Sequence, residues 1–266
     1  MEAEENAEKE MMNNAGKKRK GGARDEIQTT TPAFKSESKS LVLQHLNCRS
    51  IYTKVLEFWN LVDTYDPDII RGTESWLREK TGNKEIFRAD FVTFRRGRHA
   101  WGGGCICAKN NIACSELWVE DEFEIIAVEV NLKCTWEIVG IYRAPNEDIR
   151  VIERLAARTG FLGNSMKRSI TGGDLNLAQV DWNGIAESTS ITQAFINRLV
   201  WDNGYTQVVG KPTRGDSLLD VYLVRPVRAL ISCGTVQGIS GHCGVLLHVE
   251  WVEKFFVTQE KRLVPA

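Results

Sequence analysis

The chain has 266 residues, 42% of them hydrophobic, and a formal net charge of −1. That is the composition of an ordinary globular protein, with apolar material for one large α/β domain or two small ones. The near-neutral total excludes a global electrostatic field as the means of meeting an anion, so an anionic ligand would have to be met by a local cluster.

Residues 1–40 differ in composition from the rest of the chain. They are Glu-rich at first, then carry Lys17-Lys18-Arg19-Lys20, then a Thr/Ser/Lys stretch with almost no large apolar residue. Such a segment cannot bury enough surface to offset its ordering entropy, so a disordered charged tail is expected. The basic run reads as a nuclear localisation signal, a loose nucleic-acid contact or a solvated charge run. Order is expected to begin with a strand over 41–46, ending at Asn47-Cys48-Arg49-Ser50. Ile51, Val55, Phe58, Trp59 and Val62 then recur at helical spacing, which predicts about four turns of amphipathic helix from Ser50 or Ile51.

A second short strand over 68–71 closes on Gly72-Thr73-Glu74-Ser75-Trp76-Leu77. Arg71 is unexpected there, because a buried strand should be apolar; it reads as an exposed position or as sequence drift. Phe91-Val92-Thr93-Phe94 and Cys105-Ile106-Cys107-Ala108 form a hairpin-like pair. Its long loop holds Arg95, Arg96, Arg98, His99 and Trp101, a combination suited to phosphate contact with stacking, or simply to a solvated loop. Gly102-Gly103-Gly104 is not followed by Gly-Lys-Ser/Thr, so a P-loop is rejected. Strands are expected at 124–130, 136–141, 206–209, 218–223, 230–236 and 243–251, with helices at 147–158 and 191–202. Several strands are continuously apolar, which implies sheets covered on both faces.

The seven cysteines are odd in number, scattered and set in apolar runs, as in reduced thiols; Cys105 and Cys107 would share a strand face and pack. No stretch approaches the roughly 18 apolar residues of a membrane span, and no signal-peptide core opens the chain. An intracellular protein that does not span a membrane is expected.

Ser169-Ile170-Thr171-Gly172-Gly173-Asp174-Leu175-Asn176 reads as a strand delivering polar chemistry at its end, or as an Asx-turn. Asn47, Glu74, Tyr142 and Asp220 share that context, and His242 lies in a Gly-rich loop before the last strand. In α/β sheets, ligand and catalytic groups gather at strand ends.

Six blocks in order, Leu46-Asn47-Cys48-Arg49-Ser50, Thr73-Glu74-Ser75-Trp76-Leu77, Ile141-Tyr142-Arg143-Ala144-Pro145, Gly173-Asp174-Leu175-Asn176, Ser217-Leu218-Leu219-Asp220 and Ile239-Ser240-Gly241-His242, resemble the signature of the endonuclease/exonuclease/phosphatase superfamily. Within it the chain is most similar to the apurinic-type endonuclease domain of non-LTR retrotransposons. The resemblance covers about residues 41–251, so the domain is expected over 41–255 with a short tail at 256–266.

It implies an α/β (α+β) fold, a four-layer sandwich of two mixed β-sheets flanked by helices, with one active site at the sheet ends. It implies Mg²⁺-dependent hydrolysis of DNA phosphodiester bonds, with Mn²⁺ able to substitute and no small-molecule cofactor; the Lys17–Lys20 run adds the expectation of a nuclear location. Glu74 would be the metal carboxylate, with Asn47 ordering the metal or the scissile phosphate. Asp174 would activate the attacking water, Asn176 and Tyr142 would hold the phosphate, and Asp220 would bond His242, which donates to a phosphate oxygen. Donors placed where charge accumulates are worth roughly 3–4 kcal/mol each in comparable oxyanion sites. Arg95, Arg96 and Arg98 would contact DNA. Members of the superfamily usually have Asp immediately before the final His, where this chain has Gly241. Impaired activity is therefore expected, and the alternatives are an inactive DNA-binding relic or a phosphoesterase acting on another phosphate ester.

Overall fold

A computed structural model describes residues 40–96, 102–120, 122–159, 168–182 and 190–250. The expected charged tail, Lys17–Lys20, Arg98 and the expected C-terminal tail lie outside them. In chain order the elements are β1 Ser40–Asn47, α1 Val55–Tyr65, β2 Ile69–Thr73, α2 Asn83–Ile86, β3 Phe91–Arg96, β4 Gly104–Lys109, β5 Ala113–Val119 and β6 Glu124–Asn131. After these come β7 Thr135–Tyr142, α3 Arg150–Thr159, β8 Arg168–Asp174, α4 Ile191–Asn197, β9 Thr206–Gln207, β10 Asp220–Arg225, β11 Leu230–Val236 and β12 Gly244–Glu250.

The strands form two six-stranded sheets, ordered β11-β12-β1-β2-β4-β3 and β5-β6-β7-β8-β10-β9. Each is mixed: β1 pairs with β2 and β7 with β8 in parallel, and the other pairings are antiparallel. Three apolar clusters define the layers. Leu43, Ile69, Ile138, Ile170 and Val224 belong to the cluster between the sheets. A second joins the outer face of the first sheet, through Ile70 and Cys107, to Phe58 and Val62 of α1. The third joins Val139, Ile141 and Leu223 of the second sheet to Ile152 and Leu155 of α3 and Ile196 of α4. The result is the four-layer α+β sandwich that the sequence motifs imply, and Cys105 and Cys107 are buried packing residues.

Two local expectations are corrected. The first helix starts at Val55, not at Ser50, because Arg49 (φ 41°) and Ser50 (φ 73°) are left-handed. The N–H groups of Ser50 and Ile51 leave the helical pattern to donate to the Glu74 and Ser75 carbonyls, at 2.9 and 3.1 Å. The helix ends where Asp66 turns left-handed ahead of Pro67, its N–H donating to Val62 O. Strand β5 was not expected, since its Ser115 and Glu116 face solvent and a bulge near Glu116 interrupts the alternation. Arg71 is not exposed: it is 1% exposed and belongs to a polar interior between the sheets.

Candidate active site

Alternation sends one file of side chains from each central strand into the space between the sheets. Strand register sorts these files into tiers. Above the apolar floor of Leu43, Ile69, Ile138, Ile170 and Val224 lies a tier of His45, Arg71, Gly140, Gly172 and Tyr222. Above that come Asn47, Thr73, Tyr142, Asp174 and Asp220, at the ends of their strands. The interior therefore changes from apolar to ionisable within two steps of two residues, and the site is the mouth of that gradient.

Close strand packing sets the position of Asp174. A Cβ at Gly172 would lie 2.0 Å from Val221 O, and one at Gly173 (φ 148°) would lie 1.8 Å from Ile141 O. The two glycines thus let β8 sit between its neighbours, and do not serve a ligand's approach. Asp174 is fully buried. Its Oδ1 accepts the Asn176 N–H at 3.1 Å, which is the Asx-turn, and its Oδ2 accepts Asn47 Nδ2 at 2.9 Å. The turn and the polar cluster that the sequence left as alternatives coexist. Asn176 is left-handed (φ 49°), so its side chain does not run parallel to that of Asp174; its Nδ2 donates to Arg143 O at 2.9 Å.

Asn47 does not cap a helix. Its Nδ2 bridges two carboxylates, donating to Glu74 Oε1 at 2.7 Å as well as to Asp174, while Ser240 Oγ donates to its Oδ1 at 3.4 Å. Glu74 is half-buried in a left-handed conformation (φ 49°) just past β2. Its loop is held from both sides: Ser50 N–H donates to Glu74 O, and Ser75 and Trp76 donate to Gly103 O (3.0 Å) and Gly102 O (2.8 Å). Gly103 N–H in turn donates to the Glu124 carboxylate. The triple glycine is thus a strut for the Glu74 loop. Ser75 and Glu124 are members of that support which sequence reasoning missed; Ser75 stands inside the Glu74 motif block without a role of its own, and Glu124 carries no motif signal.

His242 Nδ1 lies 2.8 Å from Asp220 Oδ2 and 4.0 Å from Asp174 Oδ2. The other Asp220 oxygen lies 2.9 Å from His45 Nε2. His45 and Arg71 were missed as members of the cluster; the available signal was their shared alternation with Asn47 and Thr73. Arg95 reaches the carbonyls of Arg78 (3.2 Å), Glu79 (3.2 Å) and Thr81, so its guanidinium holds that turn in place. Arg96 is half-buried at the end of β3.

The electrostatics separate the two aspartates. Burial, reinforced by the charge of Asp220, pushes the Asp174 carboxyl up to about 7, against the opposing pull of His242 and the Asn47 hydrogen bond. Burial would push Asp220 up too, but hydrogen bonds from His242 and His45 outweigh it and hold it below the usual carboxylate range. Burial disfavours the His242 cation, yet the Asp220 hydrogen bond and charge prevail and raise it. His45 is lowered by burial, which exceeds the support from Asp220. Burial, then the charges of Glu74 and Asp174, push the Tyr142 phenol up, so its O–H stays a proton donor.

Glu74, Asp174 and His242 each offer a ligand atom within 4.8 Å of the others. Two carboxylates and a neighbouring carboxamide form an oxygen donor set that fits a hard divalent cation, whereas a histidine bonded to Asp220 and favouring its charged form suits proton donation. The cluster therefore places oxygen ligands suited to a cation beside a proton acceptor near neutrality and a hydrogen-bond donor whose protonated form Asp220 favours.

Two mixed sheets packed face to face carry this cluster at their strand ends, and the chain shares that two-sheet fold with solved nuclease and phosphatase structures. Among solved structures it is similar to the endonuclease domain of TRAS1, a telomere-specific non-LTR retrotransposon, at 16% identity over 80% of this chain and 99% of that one, with a TM-score of 0.62. It is similar to the AP endonuclease LMAP from Leishmania major at 11% identity over 84% and 92% of the two chains, TM-score 0.63. A third similar structure is the 3′ phosphatase NExo from Neisseria bound to a product DNA hairpin, at 14% identity over 79% and 100%, TM-score 0.60. No family profile matches the sequence, and no curated protein matches it.

Proposed function

We propose that the protein is a metal-dependent endonuclease that hydrolyses DNA phosphodiester bonds, with activity limited by Gly241. The observation that carries this reading is the convergence, from both sheets, of Asn47, Glu74, Tyr142, Asp174, Asp220 and His242 on one mouth, with three ligand atoms within 4.8 Å of one another. The TRAS1 endonuclease domain and the hairpin-bound Neisseria phosphatase support DNA as the substrate class.

Glu74 would hold Mg²⁺, or Mn²⁺ in its place, with Asn47 keeping its carboxylate in position. The cation would supply charge neutralisation at the phosphate oxygens. Asp174 would take the proton of the attacking water, and a carboxyl near 7 suits that task at neutral pH. The Tyr142 O–H and the Asn176 carboxamide would hold the phosphate. His242, whose protonated form Asp220 favours, would donate to an oxygen that gains charge as the P–O bond breaks. Arg96 and Arg98 would meet the DNA backbone, while Arg95 keeps the neighbouring turn in place.

Supercoiled plasmid incubated with the protein and Mg²⁺ tests the reading, with and without chelator and beside Asp174→Ala and Gly241→Asp. Chelator-sensitive nicking that Asp174→Ala abolishes is expected. Absence of such nicking from both the wild type and Gly241→Asp would overturn it. Nicking by Gly241→Asp alone would favour the inactive relic, whose specific support is the glycine itself.

A further inference from the structure

Arg71 is a full-length cation at the centre of the sandwich, and the opposite sheet is shaped around it. A Cβ at Gly140 would sit 3.2 Å from Arg71 Cδ and 3.3 Å from Cγ, and one at Gly172 would sit 3.2 Å from Nη1. Both strands thus lack a side chain where the arginine crosses. Nη1 donates to Val139 O at 3.3 Å, Nη2 to Val221 O at 3.4 Å, and the guanidinium carbon lies 4.2 Å from the Tyr222 ring centroid. These contacts place the third guanidinium nitrogen, Nε, 3.3 Å from His45 Nδ1.

An arginine N–H can only donate, so His45 Nδ1 is the acceptor and the ring proton resides on Nε2. Nε2 then donates to Asp220 Oδ1 at 2.9 Å, which leaves Oδ2 to His242 Nδ1 at 2.8 Å. Each carboxylate oxygen has its own imidazole. The backbone N–H of Asp220, donating to Thr213 Oγ1 at 3.0 Å, fixes the start of β10 beneath them.

We propose that Arg71 and His45 are positioning residues for the Asp220–His242 pair: Arg71 sets the His45 tautomer, and His45 holds Asp220 so that its free oxygen orients the His242 ring. An aspartate held by one imidazole alone would be free to rotate about its terminal torsion, taking the His242 ring with it. The catalytic consequence rests on the nuclease reading; the hydrogen-bond relay itself does not.

The test uses the full chain labelled with ¹⁵N-histidine, as wild type, His45→Gln and His45→Leu. Long-range ring correlations at neutral pH are recorded beside Mg²⁺-dependent plasmid-nicking kinetics. A Gln amide can accept from Arg71 and donate to Asp220; Leu can do neither. The expected results are a His45 ring protonated at Nε2, and a His242 Nδ1 resonance that is close to wild type in His45→Gln and displaced in His45→Leu. The kcat should fall about ten- to a hundred-fold in His45→Leu with KM within about twofold, and His45→Gln should recover most of it. A His45 ring protonated at Nδ1, or a His242 resonance identical in all three proteins, would overturn the proposal, as would equal kcat in the two variants. If the wild type does not nick DNA, the nuclease reading fails and the ring resonances alone decide the relay. If His45→Leu does not fold, Arg71→Lys replaces it: the charge stays, the Nε donor is lost, and the His45 tautomer is expected to become mixed, an unchanged tautomer counting against the relay.

Discussion

Replacing Asp174 by Asn should remove activity and, above neutral pH without metal, make the protein more stable. Its carboxyl is fully buried beside Asp220 and is pushed up to about 7 from an ordinary 3.8. A folded-state value raised above the unfolded one means that folding penalises the ionised form. The penalty is absent below about pH 4, grows between pH 4 and 7, and is complete above 7. Three pKa units correspond to about 4 kcal/mol, the ceiling of what neutralisation can recover. Against it, an Asn can offer one oxygen to the two donors that Asp174 now satisfies, Asn47 Nδ2 and Asn176 N–H. Losing one such bond costs about 1.5–3 kcal/mol. The net gain is at most about 1–2.5 kcal/mol above pH 7, or roughly 2–10 °C in Tm for a domain of this size. Near pH 4–5 the gain vanishes and the lost hydrogen bond makes the variant the less stable protein. Thermal and urea unfolding of both proteins in chelator, at several values between pH 4.5 and 8.5, measures this crossing. A difference constant with pH would refute the placement of Asp174 in a low-dielectric, acid-rich site.

Gly241→Asp should raise plasmid nicking by about ten- to a thousand-fold, or roughly 1.4–4 kcal/mol of barrier. No heavy atom lies within 4 Å of a Cβ built there, so the side chain enters without repacking, and an unchanged rate under saturating Mg²⁺ would count against Gly241 as the defect. Arg95→Ala should destabilise the fold by about 1–2 kcal/mol through lost bonds to the 78–81 turn and leave the salt dependence of DNA binding unchanged; a fall in slope would reassign it to the interface. Arg96→Ala with Arg98→Ala should lower that slope by about two, read from affinity titrations at several salt concentrations. Tyr142→Phe should cost about 100- to 1000-fold in kcat with little change in Tm, because only the hydroxyl of a packed ring is removed; a normal kcat would release Tyr142 from the site.

Much of the architecture was legible from the amino-acid pattern alone. Among the described residues, β-branched and apolar runs mark eleven of twelve strands to within a few residues, and in central strands such as β6 and β7 burial on both faces demands an unbroken apolar segment. The polar residues that close those runs are the ones that meet at the mouth, since a strand can tolerate an ionisable side chain only where its inner face reaches solvent or a partner. Strand β5 escaped notice because its exposed, bulged sequence lacks both signals.

Other features depend on which strands become neighbours. Arg71 looks like an error in its own strand and becomes intelligible only when Gly140, Gly172, Tyr222 and His45 are brought around it from β7, β8, β10 and β1. The triple glycine, which the sequence rejects as a P-loop, gains a role only when the Glu74 loop hangs from it, and the Arg95 guanidinium is seen to reach three carbonyls only once the 78–81 turn folds beside it. The sequence by itself determined which strands end in ionisable or carboxamide side chains, because apolar runs and their polar ends are local properties of the chain. The tertiary structure decided which of them touch, and hence which aspartate is raised and which lowered, because hydrogen-bond partners and desolvation are set by residues distant in sequence.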